Sequence, residues 1–158
     1  MTNQTMIDEF LYQRRIAIVG VSRNPSDYSR AVFRKFLQLG YATVPVNPNT
    51  AEVDGIKCWA SVREIQPAPD AVLLLTSPAA TRGEIEDCSL AGVKRVWSRR
   101  ALDKPALQLC EENGIQAIDG YCPFLFFPDS GGIHKLHGFV LKILGTYPKQ
   151  AEPTTAVL

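Results

Sequence analysis

The sequence predicts one α/β domain whose core is a doubly wound, mostly parallel sheet of five strands. Short apolar runs alternate with amphipathic stretches, a pattern typical of βαβ units around a parallel sheet. Several runs are apolar at nearly every position, as expected of strands buried on both faces. A length of 158 residues fits one domain. We assign residues 1–149 to this domain and residues 150–158 to a flexible tail.

Five apolar runs predict the strands. The first begins at Arg15 and stops at Gly20, and the second is closed by the turn dipeptide Asn47-Pro48. Pro45 within the second strand predicts an edge strand or a bulge, because proline cannot donate a ladder hydrogen bond. The predicted strands are residues 15–19, 41–46, 71–75, 93–97 and 115–118.

The stretches between these strands predict helices. The first helix has one apolar face and ends at Gly40. The spacing of Ser61 and Glu64 is that of a capping box and predicts a short helix. Ser77-Pro78 is typical of an N-cap followed by proline in the first helical turn. Further helices are expected over residues 78–91, 105–113 and 134–144.

Charge and composition argue against several classes of partner. A formal net charge of +1 does not favour nucleic acid or anionic lipid as a partner. No apolar run approaches the roughly 20 residues of a membrane span. The acidic Asp8 and Glu9 do not fit a signal peptide. Four widely spaced cysteines are typical of reduced thiols, so we expect a cytoplasmic protein. The charge and the lack of a long apolar run predict neither a nucleic-acid nor a membrane partner.

The loop after the first strand is the first candidate site. Ligands of open α/β sheets sit at the carboxyl ends of the strands. Here Gly20 permits a tight turn, and the next helix start offers backbone N–H groups and a positive dipole end to a phosphate. Ser22 can add a hydroxyl donor, and Arg23 and Arg30 can neutralise phosphate oxygens. The alternative is an ordinary polar loop with a capping serine.

Two familiar nucleotide motifs are absent. After Gly20, Ser22 and Pro25 stand where the dinucleotide fingerprint has its second and third glycines. The second strand ends in Asn47-Pro48, without the acidic residue that binds the ribose diol of NAD. No Walker sequence is present either. NAD binding and triphosphate cleavage are therefore not favoured.

Two further loops are predicted at the same edge of the sheet. Asn47 is placed to hydrogen-bond a ribose or a base, or else it is simply a turn residue before Pro48. Thr76, Ser77 and Pro78 follow the third strand and approach the ligand from the opposite side through a second helix start.

The order of these motifs resembles that of the small stand-alone CoA-binding proteins, whose domain is similar to the CoA-binding half of the succinyl-CoA synthetase alpha subunit. The resemblance covers about residues 8–123. The segments that carry it are Gly20-Val21-Ser22, Gly40-Tyr41, Val46-Asn47-Pro48, Gly55, Ser61-Val62, Asp70, Ser77-Pro78 and Val96-Trp97.

The resemblance implies a Rossmann-like domain that holds the pyrophosphate and adenosine of CoA or an acyl-CoA. Gly20, Val21 and Ser22 match the phosphate loop of the family, and two further loops match the segments beside the nucleotide. Many members carry a lysine after Asn-Pro where this chain has Asn49, and glutamine and glycine after the tryptophan where it has Ser98-Arg99. Residue chemistry and the resemblance together give the candidate binding residues, which are Gly20, Val21, Ser22, Arg23, Arg30, Asn47, Pro48, Asn49, Thr76, Ser77, Pro78, Trp97 and Ser98.

No set of residues for a catalytic sequence of steps is recognisable. The two histidines, His134 and His137, are three residues apart and would share one face of the final predicted helix. With Cys122 they suggest a soft metal site. The alternative is that they are simply packed or exposed residues of that helix. Cys122 follows the last predicted strand, where a thiol is either reactive towards CoA or simply buried. We expect neither a catalytic residue nor a metal ligand.

An apolar segment follows the last predicted strand. Three phenylalanines lie within residues 124–127, too many for an exposed loop of a monomer. The segment is expected to pack under the final helix, or else to form a homodimer contact.

Three functions remain open from the sequence. The first is a non-catalytic module that binds or senses CoA or an acyl-CoA. The second is a nucleotide-dependent enzyme or a subunit of an acyl-CoA ligase. The third is a protein-interaction module that has kept the fold and lost the ligand.

Overall fold

Seven strands and four helices make up the computed structural model, which describes residues 2–127. The strands are β1 (Arg15–Val19), β2 (Ala42–Val46), β3 (Glu52–Val53), β4 (Ile56–Lys57), β5 (Ala71–Leu74), β6 (Arg95–Ser98) and β7 (Gln116–Asp119). The helices are α1 (Gln4–Leu11), α2 (Tyr28–Gln38), α3 (Pro78–Leu90) and α4 (Lys104–Glu112). Single 3-10 turns lie at Val62–Glu64 and Pro123–Phe126.

Five of the strands form one parallel sheet in the order β2-β1-β5-β6-β7. The predicted doubly wound, Rossmann-like sheet is thereby confirmed. The chain passes from β1 outward to β2 and then crosses back over β1 to β5. The order therefore reverses between β1 and β5, which is where such sheets open a crevice. Pro45 lies on the edge strand β2, as predicted.

Each face of the sheet is covered by two helices. Alternate side chains of β1 point to opposite faces, so Ile16 and Ile18 join one apolar cluster while Ala17 and Val19 join the other. The first cluster includes α1, α2 and the aromatic residues that follow β7. The second includes α3 and α4. Because both faces are covered, the loops at the strand ends are left as the place for a ligand.

Three features differ from the sequence-based expectation. Helix α1 was not predicted, although Ile7 and Phe10 bury completely against the sheet. The hairpin β3–β4 was missed because each of its strands has two residues. The helix expected after Ser61 is one 3-10 turn. The helix predicted over residues 134–144 lies outside the described residues.

None of the helices described within residues 2–127 is both long and apolar enough to cross a membrane.

Candidate functional site

The loops after β1 and β5 approach each other at the point where the strand order reverses. Gly20 has φ +89°. A Cβ atom on this residue would lie 2.8 Å from Thr76 Cγ2 and 3.3 Å from the Thr76 backbone nitrogen. Both the positive φ and the close approach require glycine here. The first residue of the predicted phosphate loop therefore lies directly against the loop after β5.

A cleft of about 320 Å³ opens beside this contact. It is bounded by the ends of β1, β2 and β5, by the turn at Ser61 and by one face of α3. The residues that line it are Val19, Gly20, Val46, Asn47, Pro48, Asn49, Ala60, Ser61, Val62, Thr76, Glu84 and Asp87. It thus contains five of the predicted binding residues, namely Gly20, Asn47, Pro48, Asn49 and Thr76.

Hydrogen bonds within the β1–α2 loop fix its shape. The Ser22 N–H donates to Ser29 Oγ (2.8 Å), and Ser22 Oγ accepts from the Asn24 N–H (3.1 Å). Asp27 caps α2, and its carboxylate accepts from the Ser29 N–H (2.8 Å) and from Ser29 Oγ (2.5 Å), which lowers the pKa of Asp27. A negative group therefore already occupies the start of α2, where the sequence analysis expected a phosphate.

Other donors of this loop are open. Within residues 2–127, no acceptor lies within hydrogen-bond distance of the backbone N–H of Val21 or Arg23. The side chain of Val21 is fully buried, so this residue can contact a ligand through its backbone alone. The Arg23 side chain is exposed and has no carboxylate within 4 Å in the described chain. Among the described residues, Arg23, these two N–H groups and the Ser22 hydroxyl are thus donors of this loop that an anion can use.

Arg30 is engaged mainly within its own chain. This residue is 6% exposed, and its guanidinium donates to the carbonyl oxygens of Ser22 and Arg23, each at 3.2 Å. It also pairs with Asp54, which Arg34 contacts at 2.9 Å. The hydrogen bonds from Arg34 and Arg30 lower the pKa of Asp54 despite partial desolvation. Arg30 therefore stabilises the loop, although its Nε has no hydrogen-bond partner among the described residues. Its role towards a phosphate stays a prediction.

Asn47 joins two of the loops. Its Nδ2 donates to the Val21 carbonyl (2.8 Å), and its Oδ1 accepts from the Asn49 N–H (2.8 Å). Both ends of the amide are thus engaged within the chain. Asn47 is a wall of the cleft and fixes its neighbours, while the exposed Pro48 and Asn49 form its rim.

The three predicted residues after β5 are separated by the structure. Thr76 lines the cleft and donates its hydroxyl to Glu84 Oε2 (2.5 Å). Ser77 is the exposed N-cap of α3, and its side chain makes no capping hydrogen bond. Pro78 borders a different depression, formed between α3 and the start of α4. Of the three residues, Thr76 alone lines the cleft.

Trp97 and Ser98 do not line the cleft either. Trp97 is fully buried and donates its Nε1–H to the Tyr121 carbonyl (3.0 Å). It packs edge-on against Phe10 and Phe126. Ser98 is 3% exposed and donates its hydroxyl to the Arg100 carbonyl (2.8 Å). These side chains belong to the core and to a tight turn, and their assignment to the ligand stays a prediction.

Sequence reasoning missed the acidic side of the cleft. Glu84 and Asp87 lie on the face of α3 that borders it. Burial raises the pKa of Glu84, the hydrogen bond from Thr76 opposes the shift, and Asp87 adds to it. Arg63 lies 3.5 Å from Asp87 and partly neutralises it. The sequence of α3 does not indicate that Glu84 and Asp87 border the cleft, because their position depends on which face of the helix is turned towards it.

Cys122 lies away from the cleft, beside α2. Its Sγ is 3.2 Å from the Tyr28 hydroxyl, and the Arg99 guanidinium lies 4.4 Å from the centre of the Tyr28 ring. All four cysteines are free thiols, and three of them are buried. Burial raises the pKa of Cys110 to about 11. A reactive role for Cys122 stays a prediction.

The metal site suggested by the two histidines and Cys122 cannot be assembled from residues 2–127, since His134 and His137 lie outside them. Within that range no three His, Cys, Asp or Glu side chains are grouped to hold a metal ion.

The phenylalanine-rich segment packs against its own chain. Phe127 is 5% exposed and contacts the rings of Phe36 and Phe124 edge-on. Phe126 contacts Trp97. The predicted packing under the final helix is not tested, because that helix lies outside the described residues.

The sequence model of a family described as "CoA binding domain" matches residues 14–128. The chain belongs to this family. The match includes all five strands of the sheet and every residue of the cleft.

Individual relatives agree with this assignment. An uncharacterized protein of Bacillus subtilis, YneT, is 30% identical over 69% of this chain and 82% of its own length. The alpha subunit of an ADP-forming acetate–CoA ligase of Pyrococcus furiosus is 32% identical over 58% of this chain, a region that is 20% of that subunit. A solved structure of a conserved hypothetical protein from Pyrococcus furiosus superposes with a TM-score of 0.65 at 32% identity, covering 69% of this chain and 95% of that one.

Proposed function

We propose that this protein binds CoA or an acyl-CoA and acts as a non-catalytic binding or sensing module. The observation that carries the proposal is the cleft at the reversal of strand order, where Gly20 lies against Thr76. Membership of the CoA binding domain family supports CoA as the ligand.

The pyrophosphate of the ligand is assigned to the loop after β1. Among the described residues, the backbone N–H groups of Val21 and Arg23 have no acceptor, and the Ser22 hydroxyl acts only as an acceptor, so its hydrogen can be donated to a ligand. The guanidinium of Arg23 adds an exposed positive charge. Pro48 and Asn49 then border the nucleotide on the side of β2, and Thr76 borders it on the side of β5.

A second candidate function is that of a subunit of an acyl-CoA ligase. The similarity to the acetate–CoA ligase subunit favours it, although this chain spans a fifth of that protein. The two functions differ in turnover: a ligase subunit requires a partner and forms acyl-CoA from acid, CoA and nucleotide, whereas a sensing module binds CoA without a partner. Consumption of CoA with acetate and ATP by the chain together with proteins that co-purify with it would favour the ligase subunit, whereas CoA binding by a chain that co-purifies with no other protein would favour the sensing module.

Calorimetric titration of the purified full chain with CoA tests the proposal, with NAD and ATP as parallel ligands. We expect a Kd on the order of micromolar for CoA and much weaker binding of the others. Ser22→Trp should abolish binding because its side chain fills the phosphate position. Ser26→Trp, at an exposed position of the same loop, is the matched control and should bind normally. Absence of CoA binding, or an unchanged Kd in Ser22→Trp with a native melting curve, would reject the proposal.

Two further expectations accompany this proposal. A homodimer through residues 124–127 stays a prediction, and a molar mass of about 17.5 kDa in light scattering would contradict it. The cytoplasmic location inferred from the four free thiols is likewise a prediction, which fractionation of the source cells would test.

A further inference from the structure

A second groove continues from the cleft on the far side of Asn47, Pro48 and Asn49. It has a volume of about 480 Å³ and is bordered by the same three residues and by Lys57 and Trp59. Gly20 and Thr76 line the first cleft and not this groove. A ligand whose phosphate lies at the β1 loop can therefore extend over Asn49 and place a second group in the groove.

Trp59 is held at the end of β2 by backbone hydrogen bonds. Its N–H donates to the Pro45 carbonyl (3.1 Å), and its carbonyl accepts from the Asn47 N–H (2.9 Å). These bonds also fix the position of Lys57, two residues earlier on β4. The Lys57 Nζ lies 3.7 Å from the centre of the Trp59 ring. A cation over an indole face is attracted to it, so the ammonium is positioned at the groove.

Lys57 has no carboxylate partner in the described part of the chain. Glu52 faces it across the β3–β4 ladder and Glu64 borders the same groove, yet neither carboxylate lies within 4 Å of its Nζ. The opposite side of the first cleft carries Glu84 and Asp87. Glu84 and Asp87 thus border the first cleft at α3, whereas the groove at β4 contains both Lys57 and Glu64. Because no carboxylate of the described residues lies within 4 Å of the Lys57 Nζ, this ammonium can attract an anionic group.

We propose that Lys57 binds the 3′-phosphate of CoA in the groove beside Trp59. CoA carries a pyrophosphate and, at a distance from it, a phosphate on the ribose. The protein also offers two separate sets of donors: the β1 loop at the first cleft and Lys57 in the groove. Asn47 and Asn49 lie between these two spaces and border both of them. The inference rests on the proposed CoA binding and adds the residue that distinguishes CoA from its 3′-dephospho form.

The test compares CoA with 3′-dephospho-CoA on the full chain by calorimetric titration. For the natural sequence we expect CoA to bind about tenfold more tightly, the value of one charge-assisted contact. Lys57→Gln should bind CoA as weakly as dephospho-CoA, with unchanged affinity for dephospho-CoA. Lys104→Gln, at an exposed position of α4, is the matched control and should keep the tenfold preference.

A rescue variant separates charge from shape. Asn49 borders both spaces, so Asn49→Lys brings an ammonium to the same groove. In the Lys57→Gln background it should restore part of the preference for CoA. NADP, which carries a ribose phosphate, and NAD, which lacks it, test whether the groove binds any ribose phosphate. NADP binding as tightly as CoA would overturn the assignment to the 3′-phosphate of CoA.

The outcomes distinguish this inference from the proposed function. If the natural sequence binds neither CoA nor dephospho-CoA, the proposed function fails and the inference fails with it. If both bind, but Lys57→Gln keeps the tenfold preference, the role of Lys57 is overturned and CoA binding stands. Loss of the preference in Lys57→Gln and its return in the double variant support the inference.

Discussion

The carboxyl edge of the sheet has two halves that differ in how their loops are packed. The loops after β1, β2 and β5 surround an open cleft. In the other half, called the closed half below, Trp97 donates to the Tyr121 carbonyl and Ser98 donates to the Arg100 carbonyl. The loop after β6 borders a smaller depression of about 170 Å³. Both halves follow parallel strands of one sheet. A position after a strand is therefore not sufficient for a site, because room for a ligand arises where the strand order reverses.

The closed half is also tied to the N-terminal segment. Asp119, the last residue of β7, accepts from the Leu102 N–H (3.0 Å), and its own N–H donates to Thr2 Oγ1 (3.2 Å). Helix α1 covers Trp97 from the same side through Phe10. Polar groups that would meet a ligand in the other half are here satisfied within the chain. The difference predicts that changes in the closed half affect stability and changes in the open half affect binding.

The largest expected effect is that of Trp97→Ala in the closed half. Removal of a fully buried indole should lower the free energy of unfolding by about 3–5 kcal/mol. Trp59→Ala, which removes a half-buried indole in the open half, is the control and should cost clearly less. Urea unfolding at 25 °C measures both. An equal loss of unfolding free energy in the two variants would show that the closed half does not depend more strongly on its buried side chains than the open half does.

A smaller effect is expected from Gly20→Ala in the open half. Gly20 and Gly40 both have φ +89°, but a Cβ at Gly40 would meet no atom within 4 Å. Gly40→Ala should therefore cost about 1–2 kcal/mol for the left-handed backbone alone. Gly20→Ala should cost about 1 kcal/mol more, because its Cβ meets Thr76. It should also weaken CoA binding, while Gly40→Ala should not. Identical unfolding curves and Kd values for the two variants would refute the close approach.

The smallest effect concerns Glu84 and pH. The pKa of Glu84 is raised in the folded protein, so between its ordinary value and the raised value the folded state binds more protons than the unfolded state. Its contribution is complete below the ordinary carboxyl pKa and is lost as pH rises through the raised one. Glu84→Gln should remove this decline, which begins above the ordinary carboxyl pKa of 4.5, from the pH dependence of the free energy of unfolding.

The control for this measurement is Glu86→Gln on the same helix. Glu86 is exposed and pairs with Arg82 at 3.3 Å, so its removal should leave the pH dependence as it is. The same decline in Glu84→Gln as in the natural sequence would contradict the assignment to Glu84.

Much of the architecture follows from the sequence by itself. The five apolar runs determine the strands, Pro45 determines the edge position of β2, and Gly20 determines the tight turn after β1. These features are local: burial on both faces requires continuous apolar residues, and a positive φ favours glycine. The motifs also sufficed to identify the family.

The tertiary structure alone decided which of the candidate residues meet. The sequence suggests Arg30 as a phosphate ligand, but in the structure its guanidinium pairs with Asp54. The sequence suggests Trp97 as a site residue, but in the structure it packs against Phe10 and donates to the Tyr121 carbonyl. Glu84 enters the cleft because α3 turns that face towards Thr76. Such outcomes depend on partners far apart in the chain, and their pairing is set by strand order and helix packing, which local residue patterns do not encode.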